Sequence, residues 1–212
     1  MTGGTSPLHR GLSRRRLLAA APVAGLAALA AGCGRRGKPA DPDLTAAAMV
    51  AGVERVAIDT YETVRRLFTD GELGAKLPDV LVSFVITGAD HHHQALAAWN
   101  NLRIAAGRPA VNSPHAELKL AVDTAVTALT DVVAAARLAL RLEDFTSQTY
   151  LMVIPTLADP AALTLAAQLF VVDQQHQAVL RYLLGLYPVG SGTLRDAGDF
   201  APADPRPSLV SG

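Results

Sequence analysis

Eight side chains of this 212-residue chain have the types and spacing to do chemistry together: Glu54, Tyr61, Asp90, His93, Glu143, Tyr150, Asp173 and His176. Glu precedes Tyr by seven residues at Glu54/Tyr61 and again at Glu143/Tyr150, and Asp precedes His by three at Asp90/His93 and Asp173/His176. On a helix, residues three or seven apart share a face. The two Glu stand 89 residues apart and the two Asp 83 apart, an approximate internal repeat. Four carboxylates and two imidazoles are donors for divalent metal ions. The same groups could instead satisfy one another by hydrogen bonding in a metal-free core, as buried polar groups must.

Helices have to carry these residues. From Leu44 to Tyr187 the chain is dominated by Ala, Leu and Val, with Pro and Gly gathered in short stretches and no useful strand-like alternation. The pattern predicts a first helix over Leu44–Thr69, a second from Pro78 to the "AAGRP" stretch and a third over Glu117–Ile154, which bends or begins as a separate short piece. A fourth opens with Asp159 as N-cap and Pro160 at its first position and ends by Tyr187. The fold class is all-α, most simply a four-helix bundle.

Placed on a helical wheel, the second helix has an apolar stripe of Val82, Ile86, Ala89, Ala97 and Ile104. His93 falls near its middle, Asp90 toward one edge, His92 flanks the other side and His91 points roughly the opposite way, the last two reading as solvated. In the fourth helix the stripe Leu165, Leu169, Val172, Leu180 and Leu183 contains Asp173 and His176. Glu143 lies mid-face in the third helix, where an ionised carboxylate is costly unless paired or metal-bound. Glu54 edges the first helix's stripe (Val50, Val53, Ala57, Val64, Phe68), while Asp59 and Glu62 point away. Tyr61 and Tyr150 are expected to pack beside the acids with satisfied hydroxyls. Trp99 reads as structural, and His115 lies in a loop without an evident partner.

The segments "VERVAIDTY", "DHHHQALAAWNNL", "LRLEDFTSQTYL", "LADPAALTLAAQLF" and "VVDQQHQAVLRYLLG" together resemble the ferritin-like superfamily of di-iron carboxylate proteins, especially its exported bacterial branch. That family takes Glu from two helices and Glu-x-x-His from the other two. The resemblance implies a bundle with one long crossover connection. It also implies a centre of two divalent ions, iron or manganese, held by Glu54, Asp90, His93, Glu143, Asp173 and His176. Tyr61 and Tyr150 would stand behind these ligands. Such a centre implies a metal-dependent oxidoreductase that oxidises Fe2+ or handles reactive oxygen. Asp replaces Glu in both x-x-His pairs, a shortening that leaves two ions, one or none as outcomes. The alternative is a metal-free degenerate bundle serving as a cell-envelope binding or interaction module.

The ends concern address. "SRRRLL" (13–18) is a twin-arginine export signature, followed by an apolar run from Leu17 to Ala31 that suits a signal peptide and is short for a membrane span. The run closes in "LAAGC" at Cys33, which resembles a bacterial lipoprotein signal, with Ala30 where Leu is usual. Residues 1–33 are therefore expected to direct export and lipid anchoring at the cell membrane. As the chain's single cysteine, Cys33 excludes an internal disulfide or a CxxC site. Residues 34–43 read as a linker and 188–212 as a disordered tail. Removing 1–32 takes four arginines and no acid, which lowers the basic groups from 19 to 15 against 19 acidic ones. That balance shows no basic patch for nucleic acid. A homodimer is compatible with such a chain.

Overall fold

The computed structural model describes residues 41–74 and 79–186. They form five α-helices and one 3-10 turn, with no strand among the described residues: α1 (Asp41–Thr69), α2 (Asp79–Ala105), α3 (Ala116–Thr127), α4 (Val132–Val153), the turn Ile154–Thr156, and α5 (Pro160–Leu183). All of them lie within the unit Arg36–Gly212. The expected signal peptide, Cys33, most of the linker, Pro78 and the 188–212 tail fall outside the described residues. No described helix is long and apolar enough to cross a membrane.

α1 packs along α2, and α4 along α5; α1 also meets α4, and α2 meets α5. The first pair is antiparallel, since Arg103 Nη1 donates to the Leu44 carbonyl at one end while Gly88 abuts the Tyr61 ring nearer the other. α1 and α4 are antiparallel as well, because Tyr61 meets Glu143 and Tyr150 meets Glu54. One core of small and aromatic residues (Ala47, Val50, Ala51, Trp99, Tyr150, Ala162, Ala166) joins all four long helices. Alanines at these contacts let the helix axes approach closely around the larger Trp99 and Tyr150 rings.

α3 belongs to the crossover between the two hairpins and packs Leu118 and Val122 against Val53, Val56, Ala57 and Leu142. Its start is pinned to the middle of α1, where the His115 N–H donates to the Gly52 carbonyl at 2.9 Å. A Cβ on Gly52 would stand 3.3 Å from that nitrogen, so the missing side chain admits the crossing. His115 thereby has a role: it caps α3, with Nδ1 accepting from the Leu118 N–H at 3.4 Å. The expected long third helix is two pieces, divided where Asp131 caps α4 by accepting from the Ala134 N–H at 2.8 Å.

The linker boundary is corrected by three residues. Asp41, Pro42 and Asp43 already belong to α1. Asp43 is fully buried and accepts from the backbone N–H of Ala158 at 2.7 Å and Asp159 at 3.2 Å. Its carboxylate ties the start of α1 to the α4–α5 turn.

Candidate metal centre

α1 and α4 each set a Glu and a Tyr two turns apart on the face turned to the bundle interior. Running antiparallel, the two helices exchange partners: the Tyr61 hydroxyl donates to Glu143 Oε1, and the Tyr150 hydroxyl donates to Glu54 Oε1. Tyr150 oxygen also accepts from the Trp99 indole N–H at 3.2 Å. Tyr61 is held against α2 by close approach, since a Cβ on Gly88 would lie 3.0 Å from the ring's Cε1.

His92 lies between the two acids, with Nδ1 2.7 Å from Glu54 Oε2 and Nε2 3.2 Å from Glu143 Oε1. From α5, His176 places Nδ1 3.2 Å from Glu143 Oε2 and Nε2 2.9 Å from His91 Nδ1, the two imidazoles stacked. Asp173, one turn earlier on α5, completes the cluster: single donor atoms of His92, Glu143, Asp173 and His176 all lie within 4.8 Å of one another. Each of these residues is buried, and Glu54 is buried beside them.

Electrostatics tie the groups together. Burial pulls His92 down, yet the Glu143 and Glu54 carboxylates outweigh it and hold the imidazole well above its ordinary pKa. Burial raises Glu143, but His176 and His92 beside it carry it far below the usual carboxylate range. Asp173 is pushed well up, first by burial and then by repulsion from Glu143 and Glu54. Burial and the adjacent acids likewise raise both tyrosines, so their hydroxyls stay protonated donors.

A buried group of two imidazoles and several carboxylates thus lies between the four long helices. A family model for the ferritin-like domain matches residues 40–186. The chain belongs to that family. No curated protein and no solved structure matches it.

Within this ferritin-like domain, Glu54, Glu143, Asp173 and His176 occupy the interior, the sides their helix phases indicate. Asp90 and His93 do not join them, which corrects the expectation for α2. Asp90 is exposed, and His93 is exposed with Nε2 3.1 Å from Glu62 Oε1 on the outer surface of α1. The inward histidine is His92, at 1% exposure, and His91 is half-buried behind His176. The inward face of α2 lies one residue away from the expected stripe: Val82, Ile86 and Ile104 are 36%, 43% and 56% exposed, while Val85, Gly88, His92, Ala95 and Trp99 form the buried row. That row runs at alternating spacings of three and four and ends in the largest side chain of α2, a signal that could have located His92.

The donor chemistry of the ferritin-like centre suits a divalent ion. Asp173 Oδ2 is buried and makes no hydrogen bond among the described residues, although the Thr146 hydroxyl acts on the same carboxyl, and a cation facing this oxygen would relieve the cost of its burial. Imidazole nitrogens mixed with carboxylate oxygens are ligands for iron, manganese and zinc. His92 and His176 each have their outer nitrogen backed by another side chain, Glu54 and His91, which orients the inner nitrogen as metal-binding histidines require.

Proposed function

We propose that this chain is an exported, lipid-anchored ferritin-like protein that binds a divalent transition metal inside its bundle and uses it in redox chemistry on iron or reactive oxygen. The observation that carries the metal reading is the partnerless Asp173 Oδ2, buried within reach of His92, Glu143 and His176. His92, Glu143, Asp173 and His176 would hold the ion, which in its redox-active forms supplies one-electron exchange. The chain's own part is to keep water out with the Trp99 and Tyr150 packing and to hold the Glu143 and Glu54 carboxylates in place through the Tyr61 and Tyr150 hydroxyls. His91, half-exposed and bonded to His176, offers the polar connection from this interior toward solvent.

Support for export and anchoring comes from "SRRRLL", the apolar run after it and the "LAAGC" ending. The twin-arginine route fits a domain that takes up its cofactor before crossing the membrane. A metal-free interaction module is the competing reading, and the direct pairing of His92 with both Glu54 and Glu143 favours it.

Metal content of the full chain, produced in an exporting bacterial host and dialysed against buffer, separates the two. Retained iron, manganese or zinc that is lost in Glu143→Ala and kept in His93→Ala supports the metal reading. Absence of metal from the wild type, with binding still nil after incubation with Fe2+, Mn2+ and Zn2+, removes it. Retention of the chain in the membrane fraction, abolished by Cys33→Ala, tests the anchor.

A further inference from the structure

The family pattern places a carboxylate three residues before each inward histidine, so that two carboxylates bridge two ions. α5 keeps this arrangement as Asp173 and His176, but on α2 the inward histidine is His92 and the residue three before it is Ala89. The nearest acid, Asp90, is on the surface. One of the four carboxylates is therefore missing, and the one remaining at the bridging positions is a short Asp.

We infer that this domain holds one first-row divalent ion rather than two, through His92, Glu143, Asp173 and His176, with Glu54 as a positioning residue. The inference rests on the metal-binding reading above and narrows it. Charge is the first reason. Glu54, Glu143 and Asp173 are the buried carboxylates around the site. Against two divalent ions they leave a net positive charge in the interior. Against one they leave a net negative charge, and the Tyr61 and Tyr150 hydroxyls already donate to two of the three acids.

Size is the second reason. Ligand bonds of about 2.0–2.2 Å put donors on opposite sides of a single ion roughly 4 Å apart. One donor atom from each of the four residues lies within 4.8 Å of the others, a spread that fits a single coordination sphere.

The third reason is that Glu54 is already engaged. Its Oε1 accepts from Tyr150 and its Oε2 faces His92 Nδ1 at 2.7 Å, an acceptor for the ring's outer N–H that leaves Nε2 for the ion. On the other side His91 meets His176 Nε2 in the same manner, which leaves Nδ1 inward. Each imidazole thus has one nitrogen held from behind and one facing the acids.

Anaerobic titration of the full chain with Co2+, followed by visible absorption and by bound metal after gel filtration, tests this. The wild type is expected to take one ion per chain. Ala89→Glu, which returns the fourth carboxylate, is expected to take two. Glu54→Gln is expected still to take one, with an unchanged absorption spectrum and affinity lowered about 10–100-fold. Two ions in the wild type overturn the inference and leave metal binding intact; none overturns both. An Ala89→Glu chain that is helical by circular dichroism yet takes only one ion also overturns it. So does a changed spectrum in Glu54→Gln, which would make Glu54 a ligand. Should Ala89→Glu not fold, the wild-type stoichiometry and Glu54→Gln decide.

Discussion

The hydroxyl of Tyr61 on α1 donates to Glu143 on α4, 82 residues further along the chain, and Gly88 on α2 clears the space for the ring. Tyr61→Phe keeps the ring packing and removes one donor from a fully buried carboxylate. The expected cost is about 1–3 kcal/mol in urea denaturation of the metal-free protein. Unchanged stability would mean that the bond contributes nothing beyond what water offers the unfolded chain. Gly88→Ala attacks the same contact from α2: its Cβ, 3.0 Å from the ring, forces Tyr61 or α2 to move, at an expected cost of about 1–3 kcal/mol.

Adjacent histidines on α2 are expected to behave oppositely. His92→Ala leaves Glu54 and Glu143 buried without their shared partner and should destabilise by about 3–5 kcal/mol. His93→Ala removes only a surface contact to Glu62 and should change stability by less than about 1 kcal/mol. Thermal melts of the two variants, side by side, read the helix register directly. The reverse order would return the interior to His93.

Asp43 tests whether the first turn of α1 is structural. Asp43→Ala leaves the N–H groups of Ala158 and Asp159 without their carboxylate, for an expected loss of about 1–3 kcal/mol. Faster amide exchange at the α4–α5 turn should accompany it. Exchange confined to the start of α1 would argue against the tie.

Asp131 gives a pH dependence that does not involve the centre. Its bond from the Ala134 N–H holds the carboxyl below its ordinary pKa. A depressed folded-state pKa contributes stability above the unfolded value, roughly 4, and loses it as pH falls through the folded value. Asp131→Ala should therefore melt below the wild type at neutral pH, and the gap should close as pH drops below about 4. A gap constant down to pH 2 would assign the effect to helix propensity instead of the charged cap.

The local pattern by itself determined the helices. Runs of Ala, Leu and Val broken by Pro and Gly mark α1, α2 and α5, and the joint span of α3 and α4, to within a few residues, because helix formation is governed by neighbours in sequence. It also placed Glu143, Asp173 and His176 within an apolar stripe and Glu54 at the edge of one, and all four are buried. On α2 the same reasoning had two stripes to choose from. Val82, Ile86 and Ile104 form one apolar row and Val85, Ala95 and Trp99 another, and three consecutive histidines, each about 100° from the next, offer one for any choice. Only tertiary packing decided between the rows: Trp99 reaches Tyr150, Gly88 admits Tyr61, and His92 fits between two carboxylates from helices that meet it 38 and 51 residues away in the chain. The loss of one carboxylate at Ala89 follows from that register. It is invisible to a wheel because the wheel knows the angle between residues of one helix but not the angle between that helix and its neighbours.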